Sequence, residues 1–187
     1  MRRTTLDHRT RQAGTIAGAA LALLLEHGAS ALTMAAVATA AEISRQTLYR
    51  YYPDIDAVLV GIAELIASHD DHLESHVRTQ PDPASRLEAL VHTVAEASGH
   101  HHPEAAGVQA ALPPAARDVL TQHEGCVTAL LVEVLRDGIG QGVFRTDLEP
   151  ANDAPLILGL ASAADPTNPE RAITLVRRIV DPEENPT

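Results

Sequence analysis

Tryptophan is absent from the 187 residues of this chain, phenylalanine occurs once and tyrosine three times. With so few rings to stack, its core and any cavity are expected to be lined by Leu, Val, Ile and Ala, which argues against a pocket built to sandwich large flat cations. The single cysteine, Cys126, excludes an intramolecular disulfide framework and a cysteine-based zinc site, and fits a reducing, cytoplasmic setting. Long hydrophobic runs are missing as well. The apolar stretch Ala17 to Leu25 is broken by Gly18 and is far too short to cross a bilayer, and the polar start Met1-Arg2-Arg3-Thr4-Thr5-Leu6-Asp7 is unlike a signal peptide. No membrane partner is expected. No run of alternating apolar residues marks a strand, so the fold class expected is all-α.

Positive charge is scarce overall, with a formal net charge of −11, but it is unevenly spread. Residues 1–53 carry six arginines against three acids, a balance of +3, while the remaining 134 residues carry eight arginines against 22 acids, a balance of −14. Such a division suits an anion-binding head on an acidic body.

What the chain does have is concentrated. Tyr49, Tyr51 and Tyr52 fall within four consecutive positions of the segment Ser44-Arg45-Gln46-Thr47-Leu48-Tyr49-Arg50-Tyr51-Tyr52. Arg and Gln can bond base edges, and Ser, Thr and Tyr can bond phosphate oxygens. The surrounding pattern is helical. Apolar residues at Ile16, Ala19, Ala20, Leu23 and Leu24 predict an amphipathic helix over 10–27, stopped by Gly28. Thr33 can cap a short helix from Met34 to Ala40, and Ser44 can cap a third running to about Tyr51. Two short helices joined by a tight turn make a helix-turn-helix, the second placed to enter a major groove. Asp54 can then cap a long fourth helix to about Val77, ended by Pro81-Asp82-Pro83. Further helices are expected near 84–98, 103–111, 115–140, 151–164 and 169–180.

These residues resemble the TetR family of transcriptional regulators. The resemblance begins near Arg11 and runs in one register through Ile16, Ala19-Ala20, Gly28, Leu32-Thr33-Met34, Val37-Ala38, Ala41, Ile43-Ser44, Leu48-Tyr49, Tyr51-Tyr52 and Ala57-Val58-Leu59. Two positions depart from the family pattern. Glu42 stands where the turn usually has Gly, and Ile55 stands where helix four usually offers a phosphate-binding Lys.

The resemblance implies a helix-turn-helix DNA-binding domain over 1–53, a ligand-sensing and dimerisation domain over 54–180, and a disordered tail over 181–187. It implies a homodimer on a palindromic double-stranded DNA operator, most simply a repressor, released by a small-molecule effector. Arg45 and Gln46 become the expected base contacts. Thr33, Ser44, Thr47, Tyr49 and Tyr51 become the expected phosphate contacts, with Arg50 able to serve either purpose, while Leu48 and Tyr52 face inward. Helices over Ala151–Ala164 and Pro169–Val180 would build the dimer's four-helix bundle. No catalytic constellation, metal or cofactor is expected.

The polar positions inside the apolar helices of the body, and so the expected effector contacts, are His92, Glu96, Gln109 and His123. Ten histidines open a second class of reading, a metal-binding or catalytic helical protein in which the head no longer reads DNA. It would rest on His69, His72 and His76, at i, i+3 and i+7 of one predicted helix face, and on His100-His101-His102.

Overall fold

The computed structural model describes residues 2–98, 112–165 and 167–182, with the backbone alone for 2–7 and 98. The described residues form nine α-helices and no strand: α1 (Arg2–His27), α2 (Met34–Ala40), α3 (Arg45–Tyr49), α4 (Ile55–Ala67), α5 (Asp70–Arg78), α6 (Pro83–Ser98), α7 (Pro114–Gly140), α8 (Pro150–Ser162) and α9 (Pro169–Val180). The expected helix over 103–111 and most of the expected tail lie outside the described residues.

Several expected boundaries move, and local hydrogen bonds account for two of them here. The long fourth helix is two helices, because Ser68 Oγ donates to the Leu65 carbonyl at 2.7 Å and His69 Nδ1 lies 2.9 Å from the same oxygen. Side chains that compete for a backbone carbonyl end the helical ladder there. At the other end of the chain, Asp181 closes α9 by receiving the Arg177 guanidinium at 2.9 Å, so it belongs with the body.

The chain packs as two units, one of Met1–His69 and His101–His123, the other of Asp70–His100 and Glu124–Thr187. In the first, Ile16, Ala17, Ala20, Val37, Leu48, Tyr52, Val58 and Ile62 form one buried cluster. The core of the head thus takes in α4, beyond the division expected at residue 53. In the second unit, α6 packs against α5, α8 and α9 around Leu87, Leu90, Val91, Leu131, Leu135, Phe144, Ile157 and Val176. Ion pairs on its surface tie α5 and α6 to α7 and α9 to α6: Arg78 to Glu133 at 2.9 Å, Arg86 to Asp137 at 3.2 Å and Arg177 to Glu88 at 2.7 Å. Arg177 is held above its ordinary pKa, chiefly by the Asp181 hydrogen bond.

Candidate nucleic-acid interface

The site is built from two capped helices and the turn between them. Thr33 Oγ1 accepts the Ala36 N–H at 3.2 Å and begins α2. At the far end of α2 the Ile43 N–H bonds the Ala38 carbonyl at 2.9 Å and the Glu42 N–H bonds the Thr39 carbonyl at 3.1 Å. That pair of bonds is the Schellman closure, which requires a left-handed residue just after the helix. Glu42 supplies it at φ 54, the one positive φ outside glycine among the described residues. A β-carbon in that region meets its own carbonyl, so the turn carries a strain that glycine would not.

Ser44 caps α3. Its Oγ accepts the Thr47 N–H at 3.0 Å and lies 2.9 Å from the Thr47 hydroxyl. One of the two hydroxyl protons is spent between these side chains, and the other is available to a phosphate oxygen. Beyond the cap, Arg45 and Gln46 are exposed, Thr47 is half-buried and Leu48 is fully buried beneath them. Tyr49 is 54% exposed.

α3 ends at Tyr49 instead of about Tyr51, because both the Tyr51 and Tyr52 N–H groups turn back to the Leu48 carbonyl at 2.9 Å. Pro53, which has no N–H, follows. Arg50 is exposed at the end of the helix, and Tyr51 is half-buried against the head's core. Tyr52 points inward as expected, 9% exposed, with its hydroxyl donating to the Ala13 carbonyl at 3.1 Å. Burial, and then the Glu64 carboxylate, raise its pKa above the ordinary phenol value. Asp54 begins α4 by accepting the Ala57 N–H at 2.8 Å, and Ile55 turns to the head's core.

The DNA-binding positions expected from the sequence therefore lie on α3, its two ends, and the α2 cap. Two partners of this arrangement escaped sequence reasoning. Ala13 contributes only a carbonyl, which no side chain advertises. Gly61 lies in α4 against the Tyr52 ring, and a glycine interrupting an apolar helical stripe is the signal that could have found it.

The expected effector residues are less assembled. His92 and Glu96 meet on α6, with Nδ1 3.2 Å from the carboxylate. His123 lies on α7 within the first unit, and Gln109 is outside the described residues. A cleft of about 820 Å³ in the second unit is lined by Glu88, Val143, Arg145, Ile173, Arg177 and Arg178, and includes none of the four. His69 stands in the turn between α4 and α5, so the face expected to carry it with His72 and His76 is interrupted. Among the described residues no three His, Cys, Asp or Glu side chains gather as metal ligands. His100-His101-His102 lie outside them. No helix among the described residues is long and apolar enough to cross a membrane.

Residues 16–62 match the family model of the bacterial regulatory proteins of the tetR family. No curated protein matches the chain. Solved structures do. A TetR transcription regulator from Haloarcula marismortui aligns with a TM-score of 0.73 at 23% identity, covering 90% of this chain and 95% of that one. A transcriptional regulator from Saccharomonospora viridis in complex with choline aligns with a TM-score of 0.76 at 16% identity, covering 95% and 100%. The regulator FadR from Bacillus subtilis in complex with stearoyl-CoA aligns with a TM-score of 0.66 at 16% identity, covering 88% and 94%. The matched segment spans α2, the Glu42 turn and α3, the elements that present Arg45, Gln46 and Tyr49. Over residues 16–62 this chain carries the DNA-binding head of the TetR family of transcriptional regulators.

Proposed function

We propose that the protein is a cytoplasmic repressor that binds a palindromic operator as a homodimer and leaves it when a small-molecule effector binds. The observation that carries the reading is the side-chain division of α3. Arg45, Gln46 and Tyr49 are exposed on a helix whose Leu48 is buried and whose first turn is fixed by Ser44. Arg45 and Gln46 read base edges, since Arg pairs with guanine O6 and N7 and Gln with adenine N6 and N7. Thr33, Ser44, Thr47, Tyr49 and Tyr51 hold phosphates, and Arg50 serves either purpose. Residues 1–53 act as the reading head and 54–180 as the sensing and pairing body.

The second copy covers the outer face of α8 and α9. Leu156 is 71% exposed and Ile179 is 41% exposed, and Pro155 and Gly159 on α8 and Ala163 at its C-cap are exposed as well. Apolar side chains of that size left in water favour a self-complementary partner. The effector is a small or lipid-like molecule suited to an aliphatic lining, with His92, Glu96, Gln109 and His123 as the polar positions offered to it. The relatives bound to choline and to stearoyl-CoA show how widely such ligands differ. Whatever its identity, effector and operator must weaken each other by the same factor.

The test is selection of duplexes from a random pool by the purified chain, followed by a mobility shift with the recovered sequence. A recovered palindrome fixes the symmetry and the half-site spacing. Arg45→Ala and Tyr51→Ala should abolish or strongly weaken the shift while the far-ultraviolet dichroism is unchanged. Failure of the wild-type chain to enrich any sequence sinks the reading.

A further inference from the structure

The matched segment is not cationic. Residues 16–62 hold Arg45 and Arg50 against Glu26, Glu42, Asp54 and Asp56, a balance of −2. Affinity for DNA comes largely from neutralising phosphates, and helix four offers Ile55 where a cation could have stood. The positive charge of the head comes instead from residues 2–11, where Arg2, Arg3, Arg9 and Arg11 face a single acid, Asp7, a balance of +3.

The structure connects that charge to the reading helix. α1 starts at Arg2, well before the amphipathic stripe that begins it in the sequence. The Arg9 guanidinium donates to the Arg50 carbonyl at 3.5 Å, and one turn later the Ala13 carbonyl receives the Tyr52 hydroxyl at 3.1 Å. Two successive turns of α1 are thus fastened to the end of the recognition segment. Arg9 and Arg50 are both exposed there. Both are cationic, so a polyanion laid along this end of the recognition segment is attracted by each of them. From Arg9 the helix backbone continues for roughly 10 Å to Arg2, at 1.5 Å per residue.

We infer that the first turns of α1, with Arg9 at their centre, are a second DNA-binding element that grips the phosphate backbone beside the recognition helix. The element supplies the countercharge that α4 lacks at Ile55. It reads no sequence, because guanidinium contacts to phosphate fix register and carry no base information. The inference rests on the DNA-reading role proposed for α3, and its test separates the two.

A duplex recovered from a random pool by the wild-type chain, and an unrelated duplex of equal length, are titrated over a series of KCl concentrations. Wild type, Arg9→Gln, Arg9→Lys, Arg45→Ala and the triple variant R2Q/R3Q/R9Q are compared. Each phosphate contact contributes a slope of about 0.9 in log K against log salt, so Arg9→Gln should flatten the slope by about 0.9 per chain bound. Both duplexes should weaken by the same factor, leaving their affinity ratio unchanged. Arg9→Lys should keep the wild-type slope, and the triple variant should flatten it further. Wild-type slopes in Arg9→Gln and in the triple variant, while Arg45→Ala loses the recovered duplex, overturn this inference and leave the regulator reading intact. A loss of affinity in Arg9→Gln at constant slope, accompanied by a lower melting temperature, makes Arg9 a structural clamp and also overturns it. Failure of wild type to recover any duplex removes both readings.

Discussion

The phenol oxygen of Tyr52 lies 2.5 Å from the place a β-carbon would occupy on Gly61. Two carbons of the same ring come within 2.6 and 2.8 Å of that place, so the ring fills the notch left by the missing side chain. Helix α4 is held against the end of the recognition segment by this contact and by the hydroxyl's bond to Ala13. Alanine is the better helix former by about 1 kcal/mol, but overpacking a fixed ring costs about 1–3 kcal/mol, and the ring cannot retreat without losing its hydrogen bond. Gly61→Ala should therefore lower stability by about 1 kcal/mol, the middle of the roughly 0–2 kcal/mol that these terms leave, in urea melts. Tyr52→Leu, which removes the ring, should cancel most of the additional loss in the double variant. A Gly61→Ala chain as stable as wild type would mean that the notch is not tight.

Acid should weaken the body through Asp82. Its carboxylate accepts the Ser85 N–H at 2.9 Å and the Ser85 hydroxyl at 2.9 Å at the start of α6. Those bonds, the backbone one first, lower its pKa below the ordinary 3.8. A depressed folded pKa means that the unfolded chain takes up the proton first as pH falls. The contribution of Asp82 is complete above the ordinary value and disappears as pH drops through the folded one. Urea midpoints measured at pH 6 and pH 3 should differ less in Asp82→Asn than in wild type, since Asn keeps an acceptor for the N–H but does not titrate over that interval. An equal pH response in both chains would assign the acid sensitivity elsewhere.

The parts of the head that could be read from the sequence are those governed by one side chain and its near neighbours. Thr33, Ser44 and Asp54 all cap as their residue types and positions predict, because the hydrogen bond spans three residues. The strained turn at Glu42 follows from the same local logic. The extension of α1 back to Arg2 was not legible, since residues 2–9 show no apolar periodicity in the sequence. The break between α4 and α5 was hidden for a different reason. It depends on Ser68 and His69 turning back to Leu65, and both residues are also tolerated inside helices. The effector positions depend on packing between segments distant in the chain, which no local pattern encodes.

Glu42→Gly should leave stability nearly unchanged and improve DNA binding. Glycine relieves a left-handed penalty of about 1–2 kcal/mol at φ 54, and gives back roughly 0.5–1 kcal/mol as additional freedom of the unfolded chain. The small net gain is the first expected outcome, read from thermal melts. The second comes from charge, because an exposed carboxylate leaves a segment whose balance is already −2. An exposed charge interaction of about 0.5 kcal/mol corresponds to roughly a twofold gain in affinity for operator duplex, fading as salt is raised. Glu42→Gln should share the gain in affinity without the change in backbone strain. If neither variant binds more tightly at low salt, the carboxylate does not face the DNA.

Ser44 allows fold and recognition to be separated at one position. As the cap of α3 it satisfies the Thr47 N–H, and Ser44→Ala should cost about 1 kcal/mol in stability. The same substitution removes a hydroxyl from the proposed phosphate contacts, so a loss of DNA binding in that variant is ambiguous. Ser44→Asp resolves it. Aspartate caps as well as serine, and its charge complements the positive end of the helix, so the melting temperature should match or exceed that of wild type. Set against a phosphate, however, the carboxylate repels what the hydroxyl would bond, and affinity for operator should fall at least tenfold at low salt, by about 1.4 kcal/mol or more. A stable Ser44→Asp chain that still shifts operator at wild-type concentration would place Ser44 away from the DNA backbone and leave it a capping residue only.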